Sequence, residues 1–476
     1  MTDVDRVVVI VFDGLRPDVI ENTTPNLHSF AHDALWFTEA RSVFPSMTRV
    51  ATTSFATGHW PMTHGIVNNA FHIPELVRGS ALNTASFEHL SRLKAREPVV
   101  TCESLGHALA AAGKRMEAIH CGSAGAAYLV NHDVAALQQE TFSIHGEAST
   151  QTPQTVRRIV SEYGPLPPQD IPKLASLEYA NRVFVGSTLT GDVPDVALLW
   201  LVEPDTTWHH FGLGSPEAHS VLRAADEVFG NVLDAISRLP GRTTLITMSD
   251  HGQITTASEV DITAAMQADG LPASHLPGPE HRLGLTRGSM SEIRSLNGDS
   301  GLCAAACDWL MNRDDIGLVF ARDDLVESLP GTLPQSLVMH GHDRDAELYF
   351  TMRASDETDK WGLPGQCAFI SDVELGCGIH GGLNRYELTT TLIVKTPDGR
   401  RGRDASPVGL VDIAPTVAEL LGVRMSAAGA PLPLFEPRAA LHKVEVASTS
   451  HAGYSQELRL NLIDGRAYID HGNRLT

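Results

Sequence analysis

The chain has 476 residues, 42% of them hydrophobic and 20% charged, with a formal net charge of −21. This length suits one large α/β domain carrying insertions, or two domains of ordinary size, and the composition excludes a disordered or fibrous chain. The acidic balance excludes a nucleic-acid polymer as partner, because a negative surface repels polyanions, but a small anionic substrate stays compatible, since divalent cations reverse the field locally.

In chain order, residues 1–6 are short and acidic, and the apolar run VVVIVF at 7–12 follows at once. Residues 6–12 read as a buried central strand, too short for a secretory or membrane segment, and no later stretch approaches spanning length. The six cysteines form no CxxC pair; Cys303 and Cys307 read as core packing and the thiols as reduced. A cytoplasmic protein with no membrane partner is the expectation.

Helical patterns follow near 25–34, 48–58 and 102–114, the last stopped at Gly113. Residues 116–121, 197–202 and 243–248 read as further buried strands, with a long amphipathic helix over 215–239. This alternation predicts an α/β fold: a doubly wound, mostly parallel central sheet flanked by helices. Residues 122–190, polar and weakly periodic, and residues 253–345 are expected to be inserted cap regions. Strand character returns at 348–354 and 389–396, and a helix over 410–422 is closed by Gly422. The expected organisation is a catalytic core at 1–252 and 346–430, a cap subdomain at 253–345, and a strand-rich extension at 431–476 whose strands offer a surface for a homo-oligomer.

In doubly wound sheets, ligands bind beyond the carboxyl ends of the strands. Here those ends carry Asp13, then Asp205 with His209 four residues on, then Asp250-His251; a later loop, GIHGG, holds His380. Each has a bland reading alone, as a turn former, a cap or a solvated histidine. Their joint placement, three carboxylates and three imidazoles at the ends of one sheet, points to metal. Mixed ligands of this kind suit Zn²⁺ or another borderline ion, and six can hold two ions roughly 4 Å apart, the spacing that clamps an in-line displacement at phosphorus. A nucleophile is then needed. Thr48 stands where an irregular FPSM stretch enters a helix, so its hydroxyl serves either as nucleophile at the helix N-terminus or simply as an N-cap.

The order of these motifs resembles the alkaline phosphatase superfamily and, within it, the nucleotide pyrophosphatase/phosphodiesterase branch. The matching pieces are VVVIVFDGLRPD, TPNL, FPSMTRVATTSFATGHWPMTHGIVNN, EPDTTWHH, SDHG, GIHGG and DIAPTVAELLG, from residue 7 to about 422. The insertions and tail are not covered. The resemblance implies two Zn²⁺, with Mn²⁺ or another divalent ion as alternatives. Asp205, His209 and His380 would hold one ion; Asp13, Asp250, His251 and the nucleophile Thr48 would hold the other. It also implies Asn69 as donor to a non-bridging phosphoryl oxygen.

The sequence departs from the branch in two places. Arg49-Val50-Ala51 stands where Phe-Pro-Asn often follows the nucleophile, so Arg49 is a candidate contact to a substrate anion or a partner of surface carboxylates. Trp208 replaces the glycine that usually precedes the ligand histidine, and is expected to narrow the pocket or stack on a base. The Cys-x-Pro-x-Arg signature of sulfatases is absent. The implied reaction is hydrolysis of a small phosphodiester or nucleotide through a phospho-threonine. The alternatives are phosphomonoester hydrolysis, phosphonate cleavage with Lys114, Arg115 or Arg49 binding a carboxylate, and, from another class, a soluble phosphotransferase or mutase.

Overall fold

The computed structural model describes residues 4–21, 23–370, 373–438 and 441–476. The first three residues of the acidic N-terminal segment, and residues 439–440 of the expected extension, lie outside them.

The strand Arg6–Phe12 forms the middle of the molecule because its β-branched run buries both faces. Val7, Val9 and Val11 pack into one hydrophobic core and Val8, Ile10 and Phe12 into another, the period of two of a pleated strand. It pairs in parallel with Val196–Leu201 on one side and Thr243–Met248 on the other. Met116–His120 and Glu140–Ser143 extend the parallel run; Leu392–Lys395 joins the other edge antiparallel, followed by Leu35–Phe37 and Gly402–Asp404, making eight strands. Helices Pro25–His32 and Pro216–Ser237 cover one face, and Thr48–Thr57 and Ile413–Leu420 the other.

Residues 122–190 differ from the expected cap. They supply the edge strand Glu140–Ser143 and two helices, Pro153–Tyr163 and Leu174–Val183, that cover the sheet. Their polar composition belongs to the outer faces; Phe142, Val156, Ile159, Leu177 and Tyr179 face inward and join the core. The inserted unit also runs past residue 345. Leu348–Met352 pairs antiparallel with both Met290–Ser295 and Ile316–Ala321, at the centre of a separate six-stranded sheet. A four-stranded sheet follows, in which Ile254–Glu259 pairs with Pro364–Phe369 and Gly378–Ile379. The chain returns to the main sheet only at Leu392.

The C-terminal meander His442–His451, Tyr454–Ile463 and Arg466–Arg474 docks on the inserted sheet. Its anchor is the buried Gln456, whose amide accepts from Val319 N–H (2.9 Å) and donates to the carbonyls of Val319 (2.9 Å) and Gly331 (2.7 Å). No helix among the described residues is long and apolar enough to cross a membrane.

Gln456→Ala strands those backbone groups inside the protein, and each unmet group costs about 1–3 kcal/mol. Urea unfolding is expected to register a loss of about 3 kcal/mol or more; an unchanged midpoint would mean that the meander is not docked as described.

Candidate active site

The carboxyl ends of three neighbouring strands deliver three carboxylates. Asp13 follows the central strand directly, and the chain turns away at Gly14, whose positive φ of 73° favours glycine. That turn lets Gly14 N–H donate to Asp250 (3.1 Å), and Asp205 N–H donate to the Asp13 carbonyl (3.1 Å). Asp205 opens the helix Asp205–Phe211, so His209, one turn on, falls on the same face with Nε2 3.3 Å from Asp205 Oδ1. His380 arrives from the inserted unit, one residue beyond the short strand Gly378–Ile379.

These groups converge. His380 Nε2 lies 3.4 Å from Asp205 Oδ1, while His251 Nε2 lies 3.4 Å from Asp13 and 3.3 Å from Asp250. The His251 and His380 rings stack with centroids 3.6 Å apart. Each imidazole donates from Nδ1 to a backbone carbonyl: His209 to Gly378 (2.7 Å), His380 to Ser46 (2.7 Å) and His251 to Gly252 (3.0 Å). A carbonyl can only accept, so the proton is fixed on Nδ1 and Nε2 keeps its lone pair for the site. Two groups of side chains have atoms close enough to hold a metal ion: Asp13, Asp250 and His251, and Asp205, His251 and His380.

The electrostatics need positive charge. Burial, then the neighbouring Asp250 and Asp205, push the Asp13 carboxyl well above the usual range. Burial also raises Asp250. Burial acts upward on Asp205 as well, but His209 and then His380 outweigh it and hold it low. Asp13 Oδ1 and Asp250 Oδ2 are buried with no hydrogen-bond partner. Orphaned oxygens aimed at bare imidazole nitrogens fit a pair of borderline divalent cations.

Thr48 is the first residue of the helix Thr48–Thr57, and Met47, not Thr48, occupies the N-cap. The Thr48 hydroxyl is therefore not spent on capping, and Oγ1 stands 3.2 Å from His251 Nε2. Asn69 supplies the missing cap from another loop: its Oδ1 accepts the N–H of Arg49 (3.1 Å), leaving its NH₂ available to a ligand. Thr48, Asn69, Asp205, His209 and His380 line one cavity of about 470 Å³, and Arg49 lines it too. Burial lowers the Arg49 guanidinium to about 10, against the pull of Asp13, Asp205 and Asp250.

Trp208, expected to contact substrate, is instead fully buried in the core and does not line the cavity. Lys114 and Arg115 precede Met116–His120 at the amino end of the sheet, away from the site, where they pair with Asp195 and Asp192. Sequence reasoning missed the supports around the ligands. Trp200 donates from Nε1 to Asp13 Oδ2 (2.9 Å), and the buried Glu387 accepts from Gly382 N–H (2.8 Å) and Ser289 Oγ (3.0 Å) beside the His380 loop. Burial raises Glu387 to about 7. A tryptophan inside an apolar strand reads as core from sequence, and nothing in the spacing marks it as a donor.

A parallel α/β sheet with this Asp/His set at its carboxyl edge has the alkaline-phosphatase-like architecture. The model of the type I phosphodiesterase/nucleotide pyrophosphatase family matches residues 7–292, and the chain belongs to that family. Human ectonucleotide pyrophosphatase/phosphodiesterase family member 7 is 25% identical over 259 residues, 53% of this chain and 48% of that protein. Venom phosphodiesterase 2 of Crotalus adamanteus is 25% identical over 251 residues, 52% of this chain and 26% of that protein. The chain thus spans about half the length of the first of these relatives and a quarter of the second. Among solved structures, murine ectonucleotide pyrophosphatase/phosphodiesterase 5 is similar with a TM-score of 0.60 at 18% identity, covering 89% of this chain and 97% of that one. An inactive threonine-to-alanine form of the murine protein, in complex with AMP, is similar with the same TM-score of 0.60 at 17% identity, covering 90% of this chain and 97% of that one.

Trp200→Phe keeps an aromatic ring in the core but removes the donor to Asp13. Such a change beside a metal ligand typically weakens metal affinity about 10–100-fold. Competition with a chromogenic chelator is expected to show that loss with the circular dichroism spectrum unchanged; equal affinity would deny Trp200 the role.

Proposed function

We propose that the chain is a metal-dependent hydrolase of small phosphodiesters, with Thr48 as nucleophile. The observation that carries this reading is the Thr48 hydroxyl, which is not a helix cap and stands 3.2 Å from His251 Nε2, at a helix N-terminus facing the ligand cluster. Asp205, His209 and His380 would hold one divalent cation, and Asp13, Asp250 and His251 the other; Zn²⁺ suits the ligand set, with Mn²⁺ as an alternative. Bound there, the ions would supply Lewis-acid charge and lower the pKa of a coordinated hydroxyl.

The chain's own residues then have these tasks. Thr48 Oγ1 gives its proton to solvent and forms a bond to phosphorus while the bond to the leaving oxygen breaks; that oxygen keeps the bonding pair and takes a proton from solvent, leaving a phospho-threonine ester. Water cleaves that ester and restores Thr48. The Asn69 NH₂ and the N–H groups at the start of the Thr48 helix donate to the non-bridging oxygens, where charge builds up. Glu387 and Ser46 hold the His380 loop in register. The AMP complex of the murine neighbour favours a nucleotide as the group transferred.

A second reading is favoured by one observation. Among the described residues lining the cavity none is Phe, Tyr or Trp, whereas Arg49 and Arg287 both line it. Such a pocket offers a base only imidazole and guanidinium planes to stack on. It suits a compact substrate with a second anionic group, such as a phosphonate or a monoester.

Thr48→Ala is expected to lower kcat by at least about a thousandfold while bound metal, measured by atomic emission, stays unchanged. Retained turnover would overturn the nucleophile. A panel of p-nitrophenyl mono- and diesters, dinucleotides and phosphonoacetate separates the two readings: the first expects the highest kcat/KM on a diester, and preference for the monoester or phosphonoacetate would replace it with the second.

A further inference from the structure

Away from the metal ligands, the inserted unit reaches the nucleophile segment through one buried imidazole. His340 lies just beyond the short helical turn Gln335–Val338 and is fully buried. Its Nε2 is 2.9 Å from the Phe44 carbonyl, and its Nδ1 is 2.7 Å from Asp345 Oδ1. Neither His340 nor Asp345 lines the catalytic cavity.

Both partners of the ring are acceptors. A carbonyl can only accept, so Nε2 donates to Phe44. The Asp345 carboxylate receives three further donors: the Tyr349 hydroxyl at Oδ1 (2.8 Å), and the N–H groups of Gly341 (2.6 Å) and His342 (2.7 Å) at Oδ2. Burial acts upward on this carboxyl, but His340 and the hydrogen bonds outweigh it and hold it below its usual value. Burial, then the Asp345 charge, push the Tyr349 hydroxyl well above its usual value, so Tyr349 stays a donor. An ionised oxygen 2.7 Å from a ring nitrogen needs a proton between them, and Nδ1 carries it. His340 therefore donates from both nitrogens at once, as only an imidazolium can. Asp345 balances that charge inside the protein, and the bond to Phe44 is a charge-assisted one.

The carbonyl so held opens the segment that delivers the catalytic groups. Residues 44–47 lie outside any helix or strand, so the points at which they are tied set their path. At Ser46 the carbonyl accepts His380 Nδ1 (2.7 Å), and the hydroxyl accepts Gly381 N–H (3.1 Å) and donates to the Gly382 carbonyl (3.0 Å). Thr48 then opens its helix, with Oγ1 3.2 Å from His251 Nε2.

We propose that His340 is a positioning residue for Thr48: its doubly donating ring, neutralised by Asp345, fixes the Phe44 carbonyl and through it the segment that presents the nucleophile and sets the His380 tautomer. The inference rests on the reading of Thr48 as nucleophile. Through this ring the inserted unit acts on catalysis without touching the substrate.

Two amide variants separate positioning from packing. A glutamine amide at 340 reaches the place of Nε2, and an asparagine amide the place of Nδ1. His340→Gln thus keeps a donor for Phe44 and loses the one for Asp345, while His340→Asn does the reverse. His340→Asn is expected to lower kcat about a hundredfold, the scale of a misplacement of about 1 Å, with KM little changed. His340→Gln is expected to keep most of kcat. Packing alone predicts the opposite order, because His340→Gln is the variant that takes a donor from a buried carboxylate. Thermal unfolding ranks the two stabilities, and kcat is taken per folded chain. Nitrogen-15 spectra of the wild-type rings need no variant and are expected to show both His340 nitrogens protonated. Equal kcat in the two variants, an activity order that follows their stabilities, or a bare His340 nitrogen would overturn the role. Failure of the Thr48 reading registers separately, as turnover in Thr48→Ala, and leaves the comparison of the two amides readable on whichever substrate the wild type hydrolyses.

Discussion

Three carboxylates share one buried place, and the rest of the site follows from that crowding. Asp13, Asp205 and Asp250 are each under a tenth exposed, at the ends of neighbouring parallel strands. Like charges out of water raise one another's pKa, and the raised Asp13 and Asp250 record this strain. Protonation would relieve it but would destroy the ligands. The protein instead surrounds the carboxylates with imidazoles held in one tautomer, an arrangement that a pair of divalent cations would neutralise. Backbone carbonyls at Ser46, Gly252 and Gly378 set those tautomers, so the loops matter as much as the ligands they carry.

The main sheet cannot build this site alone. His380 comes from the small sheet in which Gly378–Ile379 pairs with Ile254–Glu259. Ser289, on a loop of the inserted unit, bonds Glu387, which in turn takes Gly382 N–H. The inserted unit is thus part of the ligand scaffold as well as a wall of the cavity, where Thr286 and Gly288 line one side. Displacement of that unit would move His380 and the cavity wall together, coupling substrate access to metal geometry.

Much of this was legible in the sequence, for identifiable reasons. Parallel strands buried on both faces leave unbroken apolar runs, and the ligands sit directly at their ends; Asp13, Asp250 and His251 could hardly be placed elsewhere. Thr48 was ambiguous because capping and nucleophilic roles use the same hydroxyl; Met47 at the N-cap removes the capping role. Segment 122–190 hid its role because helices with one buried face look polar on average. Trp208 was misread because adjacency to a ligand in sequence is not adjacency in space: each residue advances a helix by about 100°, enough to turn Trp208 into the core while His209 faces the site. Trp200 carried no signal at all, since a hydrogen bond from a core indole depends on tertiary position.

Charge connects the site to the whole chain. Two divalent cations held by the three carboxylates would leave one positive charge, and Arg49 would add a second close by. The surrounding protein carries −21. A long polyanion would meet that outer field along its length, whereas a compact anion is within reach of the pocket at about a Debye length of 8 Å and feels chiefly the local positive charge. On the proposed reading, such a field would favour a compact anion over a long polyanion.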